Sequence, residues 1–160
     1  MKTLFLVRHA KSSRDDPALP DKERPLADRG KRDAPRMGER LATEGVKPDL
    51  IVSSPAVRAL TTAELFAKKL NYKVKDIVVD ERLYASAPDD VLEVIHELGD
   101  KPKRLMLFGH NPEFAELAHR LSTEITEMPT CAVAEFKFDT WSDVGTQAPA
   151  KVKLYTPKDS

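Results

Sequence analysis

A single cysteine, Cys131, in 160 residues excludes an internal disulfide framework and any zinc site built on paired cysteines. Net charge is missing too: 26 Lys and Arg stand against 26 Asp and Glu. That balance gives no support to a nucleic-acid footprint or a basic membrane-binding face, although it leaves room for a local cationic pocket. Long apolar runs are absent. The first, Leu4-Phe5-Leu6-Val7, is cut off by Arg8-His9 far short of a signal-peptide core or a membrane span. There is no internal repeat, no Gly/Ser-rich linker, and no His-x-x-x-His pattern of the kind that binds zinc on a helix. These absences predict a single domain over residues 1–160, in the reducing cytoplasm, with no bound metal and no nucleic-acid or membrane partner.

What is present is alternation. Short apolar runs at Thr3–Val7, Leu50–Val52, Ile77–Val79 and Leu105–Phe108 are separated by longer stretches of helical period. Brief, unalternating runs are the mark of parallel strands covered on both faces. The predicted fold class is therefore α/β, a three-layer sandwich whose central sheet is mostly parallel and flanked by helices. Helices are expected within Asp28–Glu44, from a Ser54 cap with Pro55 in the first turn through Leu70, over Pro88–Leu98, and from Pro112 through Leu121. Pro35 leaves two starts open for the first of these, a cap at Asp33 or an earlier helix that contains the proline. Lys11–Leu26 is a long polar loop with three prolines, and Val133–Phe138 and Val152–Tyr155 read as late strands, the last at an edge.

Polar residues with chemical capability fall at the strand ends. The first strand runs into Arg8-His9-Ala10, the second into Ser53-Ser54-Pro55 with Arg58 beyond, and the fourth into Gly109-His110-Asn111. In an open parallel sheet the carboxyl ends share one edge, where ligands bind. Two arginines and two histidines at that edge form an anion site, since guanidinium forks match phosphate oxygens and a helix N-terminus adds backbone donors. A histidine among cations is held unprotonated and free to act as a nucleophile, which points to phosphoryl transfer through a phosphohistidine. Positioned cations supply the charge stabilisation such a transfer needs, with no cofactor.

These residues, together with Glu81 in Asp80-Glu81-Arg82-Leu83-Tyr84, resemble the histidine phosphatase superfamily, which includes phosphoglycerate mutases and acid phosphatases. The length, Lys11-Ser12-Ser13, and the segment Arg24-Pro25-Leu26 through Gly30-Lys31-Arg32-Asp33-Ala34 resemble its compact SixA-type phosphohistidine phosphatases. The resemblance implies a phosphoglycerate mutase-like fold and a phosphohydrolase without metal or cofactor. It implies His9 as the nucleophile, Arg8, Arg58 and His110 as holders of the phosphoryl oxygens, and Ser12 or Ser13 as an added hydroxyl donor. Glu81 matches the position of the mutases' proton donor. The expected partner is a phosphohistidine-bearing protein; a small phosphomonoester, or a module that binds phosphate without turnover, are the alternatives. One departure is Ala10, where the superfamily signature has glycine.

Other chemistry-bearing residues carry plainer readings. His96 and His119 lie in helices without neighbouring ligands, Asp15-Asp16 solvates a loop, and Asp89-Asp90 sits at a helix N-terminus. Arg29, Lys31, Arg32 and Arg36 form either a solvated helix face or a steering patch. Trp141 packs the late strands or marks a contact surface, and Cys131 reads as a small buried residue.

Overall fold

The computed structural model describes residues 1–157. The strands are β1 Lys2–Arg8, β2 Leu50–Ser53, β3 Val78–Val79, β4 Arg104–Gly109, β5 Val133–Phe138 and β6 Lys151–Tyr155. The α-helices are α1 Asp28–Thr43, α2 Val57–Lys69, α3 Pro88–His96 and α4 Glu113–Leu121. The strands join in one sheet of order β3-β2-β4-β1-β5-β6. β1 pairs in parallel with β4, β4 with β2, and β2 with β3, while β5 and β6 are antiparallel additions. The expected α/β sandwich with a mostly parallel sheet is the observed one.

Why the inner strands read as unbroken apolar runs is visible in where alternate residues point. Leu4 and Leu6 join Leu105, Leu107 and Phe136 in a core covered by Val91 and Ile95 of α3 and Phe114 and Leu117 of α4. Phe5 and Val7 join Met106 and Phe108 on the other face, beneath Met37 and Leu41 of α1 and Phe66 of α2. A strand that must fill two layers has no position to give to water.

The third predicted strand departs from that expectation. β3 keeps only Val78–Val79 at the sheet's edge, and each valine is 48% exposed. With a neighbour on one side only, it is covered less than the run of apolar residues implied. β6 lies at the opposite edge, as its position in the sequence suggested.

Of the two starts left open for α1 the earlier is observed: it begins at Asp28 and Pro35 lies inside it. α1 ends on Gly45, whose φ of 80° lets its N–H reach the Ala42 carbonyl while that of Val46 reaches Leu41. The start of α2 is corrected: it lies at Val57 with Ala56 as its cap, leaving Ser54 and Pro55 outside the helix. Ser54 is instead committed to the site described below. Trp141 is buried in the layer of α3 and α4, and its indole N–H donates to the Pro102 carbonyl at 2.8 Å. His96 and His119 each bond a backbone carbonyl, of Val144 and Ile125, far from the sheet's carboxyl edge.

Candidate active site

The register of β1 on β4 creates the site. Arg8 is paired with Gly109, so the next residues, His9 and His110, leave the sheet side by side with ring centroids 5.1 Å apart. β2 lies on the other side of β4, with Ser53 opposite Phe108, which brings Ser54 against His110. Arg58 enters from the first turn of α2. Arg8, His9, Arg24, Arg58 and His110 line one cavity of about 260 Å³ at the carboxyl edge, and Lys11, Ser12, Arg14, Asp21, Asn111 and Thr130 complete its wall. Four of these side chains are nearly sequestered: His9, Arg24, Arg58 and His110 are all buried.

His9 is held in one tautomer. Its Nδ1 lies 2.7 Å from the carbonyl oxygen of its neighbour Ala10. A carbonyl only accepts, so the neutral ring carries its proton on Nδ1 and presents Nε2 as a bare lone pair. Burial lowers the pKa of His9 to about 4; the Ala10 carbonyl opposes this, and Arg58, Arg8 and Arg24 push the same way as burial. His110 is lowered to about 3, chiefly by burial and then by His9 and Arg58. The imidazoles are neutral at pH 7. Ala10, the residue that departs from the family signature, is fully buried with an ordinary negative φ, and its N–H donates to Thr62 Oγ1 at 3.0 Å. Thr62 donates in turn to the Arg58 carbonyl, tying the turn after β1 to α2.

Three buried nitrogens of the cavity's own residues lack a hydrogen-bond partner among the described residues: Arg8 Nε, Arg58 Nε and His110 Nδ1. Unpaired buried donors are costly, and three on one cavity mark a place prepared for an acceptor. The His110 case follows from Ser54. Its Oγ accepts from the Ala56 N–H at 3.2 Å and lies 2.8 Å from His110 Nε2. Among the described residues the hydroxyl's own proton has no acceptor other than Nε2, so Ser54 is assigned as the donor, and the neutral His110 then carries its N–H at Nδ1.

Of the residues expected at the site, the structure brings together Arg8, His9, Ser12, Arg58 and His110. Ser12 Oγ accepts from Arg24 Nη1 at 2.8 Å. Ser13 and Glu81 are not part of the cavity wall. The Ser13 hydroxyl accepts from the Asp15 N–H out in the loop. The Glu81 side chain is 72% exposed and pairs with Lys22 at 3.3 Å. It sits on the short 3-10 turn that follows the edge strand β3, which carries it to the surface.

Two residues escaped sequence reasoning as site members. Arg24 was visible only as part of a family segment, and Asp21 not at all. Both lie in the long loop, which is closed at its base by a bridge between Ser12 and Leu26 and so folds back over the sheet edge. Asp21 holds Arg58 by two contacts, its main-chain oxygen at 2.7 Å and Oδ2 at 3.0 Å, and Arg24 through Oδ1 at 3.1 Å. The signal available was a charged segment, Asp21 to Arg24, between two prolines in a loop too long to be a plain connection.

Residues 4–87 match the family model described as the histidine phosphatase superfamily, branch 1. The chain belongs to that superfamily. An uncharacterised protein of Mycobacterium tuberculosis is 32% identical over 95% of this chain and all of its own length. Among solved structures, a candidate phosphohistidine phosphatase, SixA, from Agrobacterium tumefaciens superposes with a TM-score of 0.78 at 26% identity, covering 84% of this chain and 90% of the other. The protein histidine phosphatase SixA complexed with tungstate shares the fold at a TM-score of 0.83 and 22% identity, covering 98% of each chain. Within the histidine phosphatases, then, the chain is of the compact SixA type, and the membership supports phosphatase chemistry at the cavity of His9. No helix of the described residues is long and apolar enough to cross a membrane.

Proposed function

We propose that the protein is a phosphohydrolase that passes a phosphoryl group through His9, acting on phosphohistidine carried by a partner protein. One observation carries the reading: the Ala10 carbonyl fixes His9 with a bare Nε2, in a cavity whose buried donors on Arg8, Arg58 and His110 have no partner. In the first step Nε2 gives its electron pair to phosphorus, and the bond from phosphorus to the leaving group breaks with its pair on the leaving atom. In the second, a water oxygen attacks phosphorus, the bond to His9 breaks back onto Nε2, and inorganic phosphate leaves as dihydrogen phosphate with both of the water's protons on its oxygens. Charge stays on the three equatorial oxygens through both steps, where guanidinium donors stabilise it most.

Phosphohistidine as substrate is favoured by what the cavity does not contain. An ester's alkoxide needs a proton from an acid within reach; Glu81 points to solvent beside Lys22, and Asp21 is kept ionised by hydrogen bonds from Tyr84, Arg58 and Arg24 that hold its carboxyl well below the usual carboxylate range. An imidazole is the easier leaving group. The solved relatives named for phosphohistidine phosphatase activity, one of them holding the oxyanion tungstate, agree in kind.

The test uses a phosphorylated histidine-transfer domain, with phosphoserine and phosphoglycerate alongside. The wild-type chain is expected to release phosphate fastest from the histidine-borne group, through an acid-labile, base-stable phosphoenzyme. His9→Ala should lose the phosphoenzyme and at least about a thousandfold in turnover. Turnover by His9→Ala at the native rate overturns the assignment.

A further inference from the structure

If phosphohistidine is the substrate, the departing ring has one requirement that His9, Arg8, Arg58 and His110 do not meet. Imidazole leaves as a neutral ring only when the nitrogen away from phosphorus already carries a proton. An acceptor for that N–H, placed on the side opposite the nucleophile, would hold the substrate in its reactive form.

Asp21 has the free valence and the position. A carboxylate offers about four lone-pair sites, two on each oxygen. Oδ2 accepts from Arg58 Nη2 at 3.0 Å and from the Tyr84 hydroxyl at 2.7 Å, which fills it. Among the described residues Oδ1 accepts only from Arg24 Nε, at 3.1 Å, so one acceptor site remains. The Asp21 side chain is 52% exposed and that of Arg58 7%. The carboxylate therefore stands at the rim of the cavity, above a floor made by the buried His9 and Arg58. In-line transfer from a substrate to a nucleophile on the floor sends the leaving group toward the rim. Three bonded partners, with Tyr84 itself against His110 at a ring separation of 5.6 Å, fix the carboxylate in place despite its exposure.

We infer that Asp21 accepts a hydrogen bond from the distal N–H of the leaving imidazole and thereby selects phosphoramidate substrates over phosphate esters. The inference rests on the proposed function above. In the step, the substrate ring arrives protonated on its distal nitrogen. Nε2 of His9 bonds to phosphorus, the substrate's P–N bond breaks with its electron pair on the ring nitrogen, and the ring departs neutral with its N–H still on Asp21. No proton moves to Asp21, which remains a carboxylate. An alkoxide gains nothing from this arrangement and meets a like charge, as does any small phosphate that carries its own carboxylate near the phosphoryl group.

Two peptides of one sequence, bearing phosphohistidine or phosphoserine at the same position, separate the possibilities on the full chain. Asp21→Asn is expected to lower kcat/KM on the phosphohistidine peptide by on the order of ten- to a hundredfold, the worth of one hydrogen bond to a charged group. Its turnover of the phosphoserine peptide should fall by no more than a few-fold, since the main-chain oxygen of residue 21 still holds Arg58 Nη1 while the side chain's grip on Arg58 and Arg24 is weakened. An equal fall on both peptides means that Asp21 only positions Arg58, and it overturns the inference, as does no change on either; both leave the His9 reading standing. Phosphohistidine turnover that is absent in the wild type, or that survives in His9→Ala, sinks the proposed function and this inference with it.

Discussion

Ser54 Oγ lies 2.8 Å from Nε2 of His110, a contact buried where the ends of β2 and β4 meet. The hydroxyl turns the ring so that its Nδ1–H has no partner but an incoming oxyanion. Ser54→Ala should free the ring to change tautomer. We expect about 1 kcal/mol of lost stability, the usual net worth of a hydrogen bond, and roughly tenfold weaker inhibition by inorganic phosphate. Phosphate inhibition unchanged from the wild type would separate His110 from the oxyanion.

Arg58 is anchored in the cavity with both terminal nitrogens on Asp21 and a buried Nε to spare. Arg58→Ala should cost about a hundred- to a thousandfold in kcat, the range seen when one preorganised donor to a developing charge is removed. Arg120, exposed on α4 and paired with Asp89, serves as the control. A loss at Arg58 no greater than at Arg120 would take it out of the transition state.

The pH dependence follows from the two imidazoles. His9 and His110 are lowered from 6.5 to about 4 and about 3 by burial first. The folded protein thus binds fewer protons than the unfolded chain between about pH 6.5 and pH 4. Stability is full above pH 6.5 and falls as the solution is acidified through that window, by roughly 3 kcal/mol for His9 alone at the limit. Proton NMR of the ring hydrogens should show both rings still neutral at pH 5.5. Denaturant titrations of His9→Ala should lose less stability on acidification than those of the wild type; equal losses would contradict the burial account.

Gly30 packs its bare α-carbon against the backbone of Lys11, whose carbonyl also accepts from the Ala27 N–H. A methyl group there would overlap the Lys11 carbonyl oxygen and sit 3.0 Å from its nitrogen, and backbone cannot rotate away as a side chain can. Gly30→Ala should lower stability by about 1–3 kcal/mol and, because Lys11 follows the His9 turn directly, reduce turnover too. A thermal melt with Tm unchanged would show that the loop yields freely.

The residues at the strand ends could be named before any fold was known, because each lies within one to six positions of an apolar run whose length and pattern define a buried parallel strand. Arg8, His9 and His110 follow their strands immediately, and local backbone geometry carries them to the carboxyl edge. Glu81 follows a strand too, but β3 is an edge strand, and sheet order is set by which runs pair across more than fifty residues of chain. Ser54 satisfies every local rule for a helix cap, yet its partner is a histidine that another strand supplies. Asp21 lies outside every periodic segment, so only the closure of its loop over α2 and Tyr84 places it at the cavity rim.

Local pattern therefore determined the class of fold, the two-faced core and the histidines and arginines at the strand ends, since each of these depends on its own stretch of chain. Tertiary structure alone decided how the histidine rings are held and which carboxylate lines the cavity and which does not, because a hydrogen bond is set over a few ångströms between chain segments whose separation no periodicity encodes.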